Sequence, residues 1–282
     1  MSAHYEWPFF DDVHRELAAR AAEWVSKQHV DDRDPDAACR EWVRRLGEAG
    51  FLRYTVPAAQ GGALPTIDSR ALCVLRETFA AHDALADFAF AMQGLGTGAL
   101  TLEGSDELRA RWLTKVANGQ AIAAFALSEP DAGSDAANLT TRATRVGDSW
   151  QLDGVKTWIS NGGIADVYCV FARSDAESSG SKGISAFIVP ADTPGLEIVE
   201  RIPTISPHPL ATLRFTKCVV PDANRLGDAG TGFKLAMRTL DIFRVSVAAA
   251  AVGFARRALQ ETVHHANARA MFGATLGAQP LA

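Results

Sequence analysis

Ala126-Leu127-Ser128-Glu129-Pro130-Asp131-Ala132-Gly133-Ser134-Asp135 is where this chain changes character. Upstream of it, apolar residues recur at helical spacing. Downstream, short apolar runs alternate with Gly, Ser and Pro. The run Ala121 to Leu127 reads as a strand that ends in Ser-Glu-Pro and opens into a glycine-containing turn. Such a turn presents backbone N–H groups beside the hydroxyls of Ser128 and Ser134, which suits an anionic or carbonyl-bearing ligand such as a phosphate or a flavin ring edge. Turns of this composition are also common without any ligand, so this stretch alone leaves both readings open.

Working upstream, the first 120 residues read as helices. His14 to Val30 places Leu17, Ala21, Trp24 and Val25 near one face. Pro35 to about Ala49 turns Trp42, Val43 and Leu46 inward and stops at Gly50. A loop at Gln60-Gly61-Gly62 and Pro65 precedes one long segment, Ile67 to about Met92, apolar on most faces as a buried helix should be. Ser105 to Asn118 carries Leu108, Trp112, Leu113 and Val116 and is closed by Gly119.

Downstream, Leu139 to Arg145 and Ser149 to Leu152 flank Val146-Gly147-Asp148 as a hairpin. Val167 to Ala172, Ile184 to Val189, Leu196 to Val199 and Thr212 to Val219 complete an antiparallel sheet or small barrel. From Gly232 to about Ala270 the chain is helical again, with Phe233, Met237, Leu240, Val247 and Ala251 near one stripe. A helix that long and apolar must lie against others. The expected fold is α+β: an N-terminal helical domain (1–120), a central antiparallel β domain (121–225) and the start of a C-terminal helical bundle (226–282).

Composition narrows the function. A net charge of −5 over 282 residues makes nucleic-acid binding a poor reading, because that normally needs a basic patch. Cys39, Cys73, Cys169 and Cys218 are scattered, with no CxxC and no histidine pair at ligand spacing. That speaks against a zinc site or a disulfide framework and fits a reducing, cytoplasmic setting. The longest apolar stretch, Val245 to Ala255, is interrupted by Ser246 and Gly253 and falls short of the roughly 20 residues a membrane span needs. Met1 to Asp12 is aromatic and acidic, unlike a signal peptide. His14 and His264-His265 read as solvated helix faces, His208 as a loop histidine set between two prolines, and Arg256-Arg257 as an exposed or intersubunit face.

A second cluster, Gly154-Val155-Lys156-Thr157-Trp158-Ile159-Ser160-Asn161-Gly162-Gly163, sets a tryptophan and a hydroxyl two residues apart on one side of a strand. A core tryptophan would look the same. Taken together, the two clusters resemble the acyl-CoA dehydrogenase family, whose two flavin motifs have this content and separation. Phe215-Thr-Lys-Cys-Val-Val-Pro221 with Leu226-Gly-Asp-Ala-Gly-Thr-Gly-Phe233, and Leu240-Asp241-Ile-Phe243-Arg244 with Arg269-Ala-Met-Phe272-Gly273, are similar to later segments of the same family.

The resemblance implies an FAD-dependent oxidoreductase that forms an α,β double bond in an acyl-CoA and passes electrons to an electron-transfer flavoprotein. Phe125, Leu127, Ser128, Gly133 and Ser134 would line the flavin, with Ser134 also meeting substrate. Trp158 would lie against the ring and the Ser160 hydroxyl would reach N5 and O4. Arg269 and Phe272 would serve the FAD of a neighbouring subunit in a homodimer or homotetramer, while Leu240, Asp241, Phe243 and Arg244 would line the acyl-pantetheine channel. Ser181 or Lys182, in the Ser/Gly loop, would approach CoA.

One departure stands out. The reaction needs a carboxylate to take the α-proton, and Phe243 occupies one of the two positions where the family carries it. The resemblance implies that the chain is C-terminally incomplete and that the base lies beyond Ala282. A flavin monooxygenase or oxidase on the same fold, or a non-catalytic half-subunit, are the alternatives. Glu129 and Asp135 read as turn-holding groups and Asp241 as an ion-pair partner of Arg244, so no catalytic base is assigned. No metal site is expected.

Overall fold

The computed structural model describes residues 3–280. Five helices come first. Helix α1 (Asp12–Val25) stops short of Val30, and α2 (Pro35–Glu48) starts where the Asp34 side chain accepts hydrogen bonds from the Asp36 and Ala37 N–H groups and proline takes the first turn. His14 is not solvated: it is 1% exposed, its Nδ1 accepts from the Asp11 N–H, and its Nε2 lies 3.2 Å from the Asp68 carboxylate. The partner that buries it lies 54 residues away in sequence, beyond the reach of local spacing.

The single helix expected over Ile67 to Met92 is two, α3 (Ser69–Ala80) and α4 (Ala84–Glu103). The Asp83 carboxylate, accepting from the Leu85 and Ala86 N–H groups at 2.8 and 3.0 Å, caps the second and lets the chain turn. Helix α5 (Asp106–Ala117) is capped by the Ser105 hydroxyl. Helix α4 is buried almost all round, and its glycines make that possible. A β-carbon on Gly96 would lie 2.7 Å from that of Ala123, and one on Gly94 would lie 2.5 Å from the Phe243 ring.

The strands are β1 (Ala123–Ala126), β2 (Arg142–Val146), β3 (Ser149–Ser160), β4 (Val167–Arg173), β5 (Ile184–Pro190), β6 (Leu196–Arg201), β7 (Leu210–Pro221) and β8 (Arg225–Leu226). They form one sheet in the order β6-β7-β3-β2-β4-β5-β8, with β1 on β4. The sheet is mostly antiparallel, as the short connections require, but β4 pairs in parallel with both β1 and β2. Strand β3 runs on past Leu152 because Gly154, at φ +151°, carries a register shift against β7 that a side chain there would block.

Helix α6 (Gly232–Ala268) packs against α3 and α4. The buried line along it is Leu235, Thr239, Phe243, Ser246, Ala250 and Gly253, rotated from the expected stripe; Val247 is 56% exposed. Small residues win the contact because they bring backbones close: a β-carbon on Gly253 would lie 2.4 Å from the Glu77 carbonyl oxygen. The helix ends in a tight hairpin of β9 (Ala270–Met271) and β10 (Ala274–Thr275), turned by Phe272 and Gly273 at φ +49° and +79°. Among the described residues no helix is long and apolar enough to cross a membrane.

Candidate functional site

Strand β1 delivers the Ser128 turn to the underside of β3. The Thr157 N–H donates to the Ser128 carbonyl at 3.0 Å, and the Lys156 ammonium donates to the Leu127 carbonyl at 2.9 Å. Two stretches nearly thirty residues apart are thus tied side by side. A buried ion pair locks them: Lys156 Nζ lies 2.8 Å from Glu129 Oε1, with the two side chains 0% and 3% exposed. The Glu129 carboxylate also accepts from the Thr140 N–H and hydroxyl and from the Thr141 N–H, so each charge is matched by hydrogen bonds. Burial would raise the Glu129 carboxyl, but the Lys156 charge and these hydrogen bonds outweigh it and hold it down, to about 2. Burial pushes the Lys156 ammonium down, to about 8, against the pull of Glu129. Glu129 therefore holds the turn and is spent on structure.

Trp158 sits at a register shift between Lys156 and Ile159, with φ +58° and 61% of its surface exposed. A bulky residue in that backbone region is strained, and exposing an indole forgoes burial that would stabilise the fold. Asn161, at φ +60° and fully buried, ends the strand; its amide donates to the Ala123 carbonyl and pins β3 to β1 again. Neither Lys156 nor Asn161 was singled out in the sequence. A lysine between Val155 and Thr157, and an asparagine just after the strand, were the available signal, and neither stands out among the strand's other polar residues.

Around the junction, Leu127 is buried, Phe125 packs its ring 4.9 Å from that of Phe171, and Ser128 is half-buried. Gly133 and Ser134 face solvent, and a β-carbon on Gly133 would meet nothing within 4 Å. Among the described residues the Ser128, Ser134 and Ser160 hydroxyls and the Trp158 indole N–H have no intramolecular hydrogen-bond partner. Ser160 opens onto a cavity of about 440 Å³ shared with Phe88, Met92, Leu240, Phe243 and Arg244. Phe243 rests in the notch left by Gly94 and Gly98.

The other expected residues fall elsewhere. Asp241 pairs with Arg244 at 3.1 Å on the outer face of α6 and is not among the cavity-lining side chains. Arg269 and Phe272 follow the far end of α6, about 40 Å along the axis from Leu240 at 1.5 Å per residue. Phe272 is 89% exposed there, so one chain does not bring this pair to its own Ser128–Trp158 junction. Lys182 lies on an exposed loop, and the His208 ring packs 4.7 Å from that of Phe88 at the cavity edge. Arg256 reaches Glu77 at 2.6 Å within the chain. Among the described residues no three His, Cys, Asp or Glu side chains gather as a metal site.

A helical region, a central sheet and a long following helix, with two motifs tied together at one junction, define the class of fold. Models of the N-terminal, middle and C-terminal domains of acyl-CoA dehydrogenase match residues 11–120, 124–218 and 230–282 in turn. The chain belongs to the acyl-CoA dehydrogenase family of oxidoreductases. It is 40% identical over 280 residues to a probable acyl-CoA dehydrogenase, fadE25, of Mycobacterium leprae, covering 95% of this chain and 71% of that protein. It superposes on butyryl-CoA dehydrogenase from Megasphaera elsdenii with a TM-score of 0.87 at 30% identity, over 95% of this chain and 72% of that one. A glutaryl-CoA dehydrogenase of Mycobacterium smegmatis in complex with FADH2 matches with a TM-score of 0.84 at 28% identity, over 96% and 69%.

Proposed function

We propose that the protein is an FAD-dependent acyl-CoA dehydrogenase that desaturates an acyl-thioester between its α and β carbons and hands the electrons to an electron-transfer flavoprotein. The observation that carries this is the Thr157 N–H to Ser128 carbonyl bond, which sets unpaired hydroxyls, an open glycine and an exposed indole around one junction. These are the features an isoalloxazine edge and face demand, and the matched enzyme with FADH2 supports the same cofactor. Bound there, FAD would supply the hydride acceptor. Trp158 would lie against its ring, the Ser128 and Ser160 hydroxyls would hydrogen-bond its edge, and Phe125, Leu127, Gly133 and Ser134 would line the slot. Hydrogen bonds held in place by the Glu129–Lys156 lock need no reorganisation as charge develops, which is where such sites gain most.

Phe243, Leu240, Phe88 and Met92 give the acyl cavity its apolar lining. Arg269 and Phe272 of one chain complete the slot of another in a homodimer or homotetramer. The three fully buried cysteines, kept as thiols, support a reducing cytoplasm as the setting.

The test mixes FAD-loaded protein with a saturated acyl-CoA without oxygen. Perturbation of the flavin bands by the thioester but not by free CoA, with bleaching on turnover, supports the dehydrogenase. Bands that ignore the thioester and bleach only with an added reductase, followed by substrate oxygenation, favour a monooxygenase instead.

A further inference from the structure

The cavity that holds Ser160 and Phe243 is apolar along Phe88, Met92, Leu95 and Val247, yet one of its walls is ionic. Arg76 of α3 grips Asp87 of α4 as a fork, Nε to Oδ1 and Nη2 to Oδ2, both at 2.8 Å. Arg76 Nη1 also donates to the Ser246 hydroxyl of α6 at 3.2 Å. The two charged side chains are 12% and 4% exposed, and both line the cavity.

Position along the helices fixes which end this is. The α4 glycines that touch β1 and Phe243 are Gly96 and Gly94. Asp87 precedes them by about two turns, and Ser246 follows Phe243 on α6 by one. The fork therefore marks the end of the cavity remote from β1 and its flavin motif. A guanidinium has five N–H donors. Three are spent on Asp87 and Ser246, and among the described residues two remain without a partner. The charges cancel within the pair, so the wall offers donors without attracting a full negative charge.

Resting on the acyl-thioester reading above, we infer that the pocket selects acyl groups carrying a neutral oxygen at the far end, a hydroxyl or carbonyl, over plain alkyl chains. The terminal oxygen accepts from Arg76, and a hydroxyl also donates to Asp87. An alkyl terminus that covers those donors leaves them unpaired, which costs affinity.

Calorimetric titration of the protein with hexanoyl-CoA and with its ω-hydroxy analogue tests this. The hydroxylated thioester binds about tenfold more tightly, as expected for a hydrogen bond to a charged group. In the double variant Arg76→Met, Asp87→Leu the preference vanishes or reverses, since an apolar pair can replace a buried ionic one without loss of fold. The comparison within the parent protein decides the matter even where that variant does not fold. Equal or tighter binding of hexanoyl-CoA by the parent, or an unchanged preference in a folded double variant, overturns the inference and leaves the acyl-thioester reading standing. Binding of neither thioester overturns both.

Discussion

Lys156 carries its charge with no surface exposed, and the fold tolerates that only because Glu129 and the Leu127 carbonyl meet it. Removing one partner strands the other: Lys156→Met is expected to cost about 3–5 kcal/mol in chemical denaturation. The same pair sets an acid limit. The Glu129 carboxyl titrates near 4.5 when free and near about 2 in the fold, so as pH falls the unfolded chain takes up this proton first. Stability from this group is whole above about pH 5 and drains away toward pH 2, and Glu129→Gln should flatten that slope in acid-unfolding curves. Trp158 presents the opposite economy. With its φ of +58°, Trp158→Gly should relieve roughly 1 kcal/mol of backbone strain and raise the melting temperature of the flavin-free protein, while weakening FAD retention. A variant that loses both stability and flavin would show the indole to be core, as a tryptophan in a strand so often is.

Among the elements, the α4–α6 contact depends on missing side chains. Gly94→Ala drives a methyl group into the Phe243 ring and should destabilise by about 1–3 kcal/mol despite alanine's better helix propensity. Adding Phe243→Ala should recover part of the loss, and additive effects in that double-mutant cycle would contradict the contact. The same contact explains why α6 was legible as a helix while its buried face was not. Apolar spacing pointed to Val247 and Ala251, but close approach was chosen by Thr239, Ser246 and Gly253, whose value lies in being small. The break between α3 and α4 had a local signal, Asp83, masked by apolar residues on both sides. His14 and the Arg76–Asp87 fork had none, since their partners are set by packing of separate helices. The strands at Ala121, Val167 and Ile184, by contrast, stood out because short apolar runs bounded by Gly and Pro have few other uses.

For the whole molecule, the α+β outline was readable from the order of helices and strands; the family resemblance put the Ser128 and Trp158 segments together and gave Arg269 and Phe272 to a neighbouring subunit, and within one chain the two do lie far from that junction. That separation follows from the 37-residue length of α6, which carries the two well beyond Leu240, the α6 residue that shares the cavity with Ser160. The outer side of α6 leaves Val252, Leu259 and Val263 between 48% and 64% exposed, a row of apolar side chains that favours self-association. Sedimentation velocity should find a dimer or larger species that Leu259→Asp with Val263→Asp converts toward monomer; a monomeric parent would contradict the composite site.

The most direct test of the flavin slot is a titration of the purified chain with FAD, followed by flavin and tryptophan fluorescence. One FAD bound per chain, weakened about tenfold or more in Ser128→Ala, Trp158→Ala at unchanged thermal stability, is the predicted result. A parent protein that binds no FAD, or a double variant that binds it equally well, would contradict it.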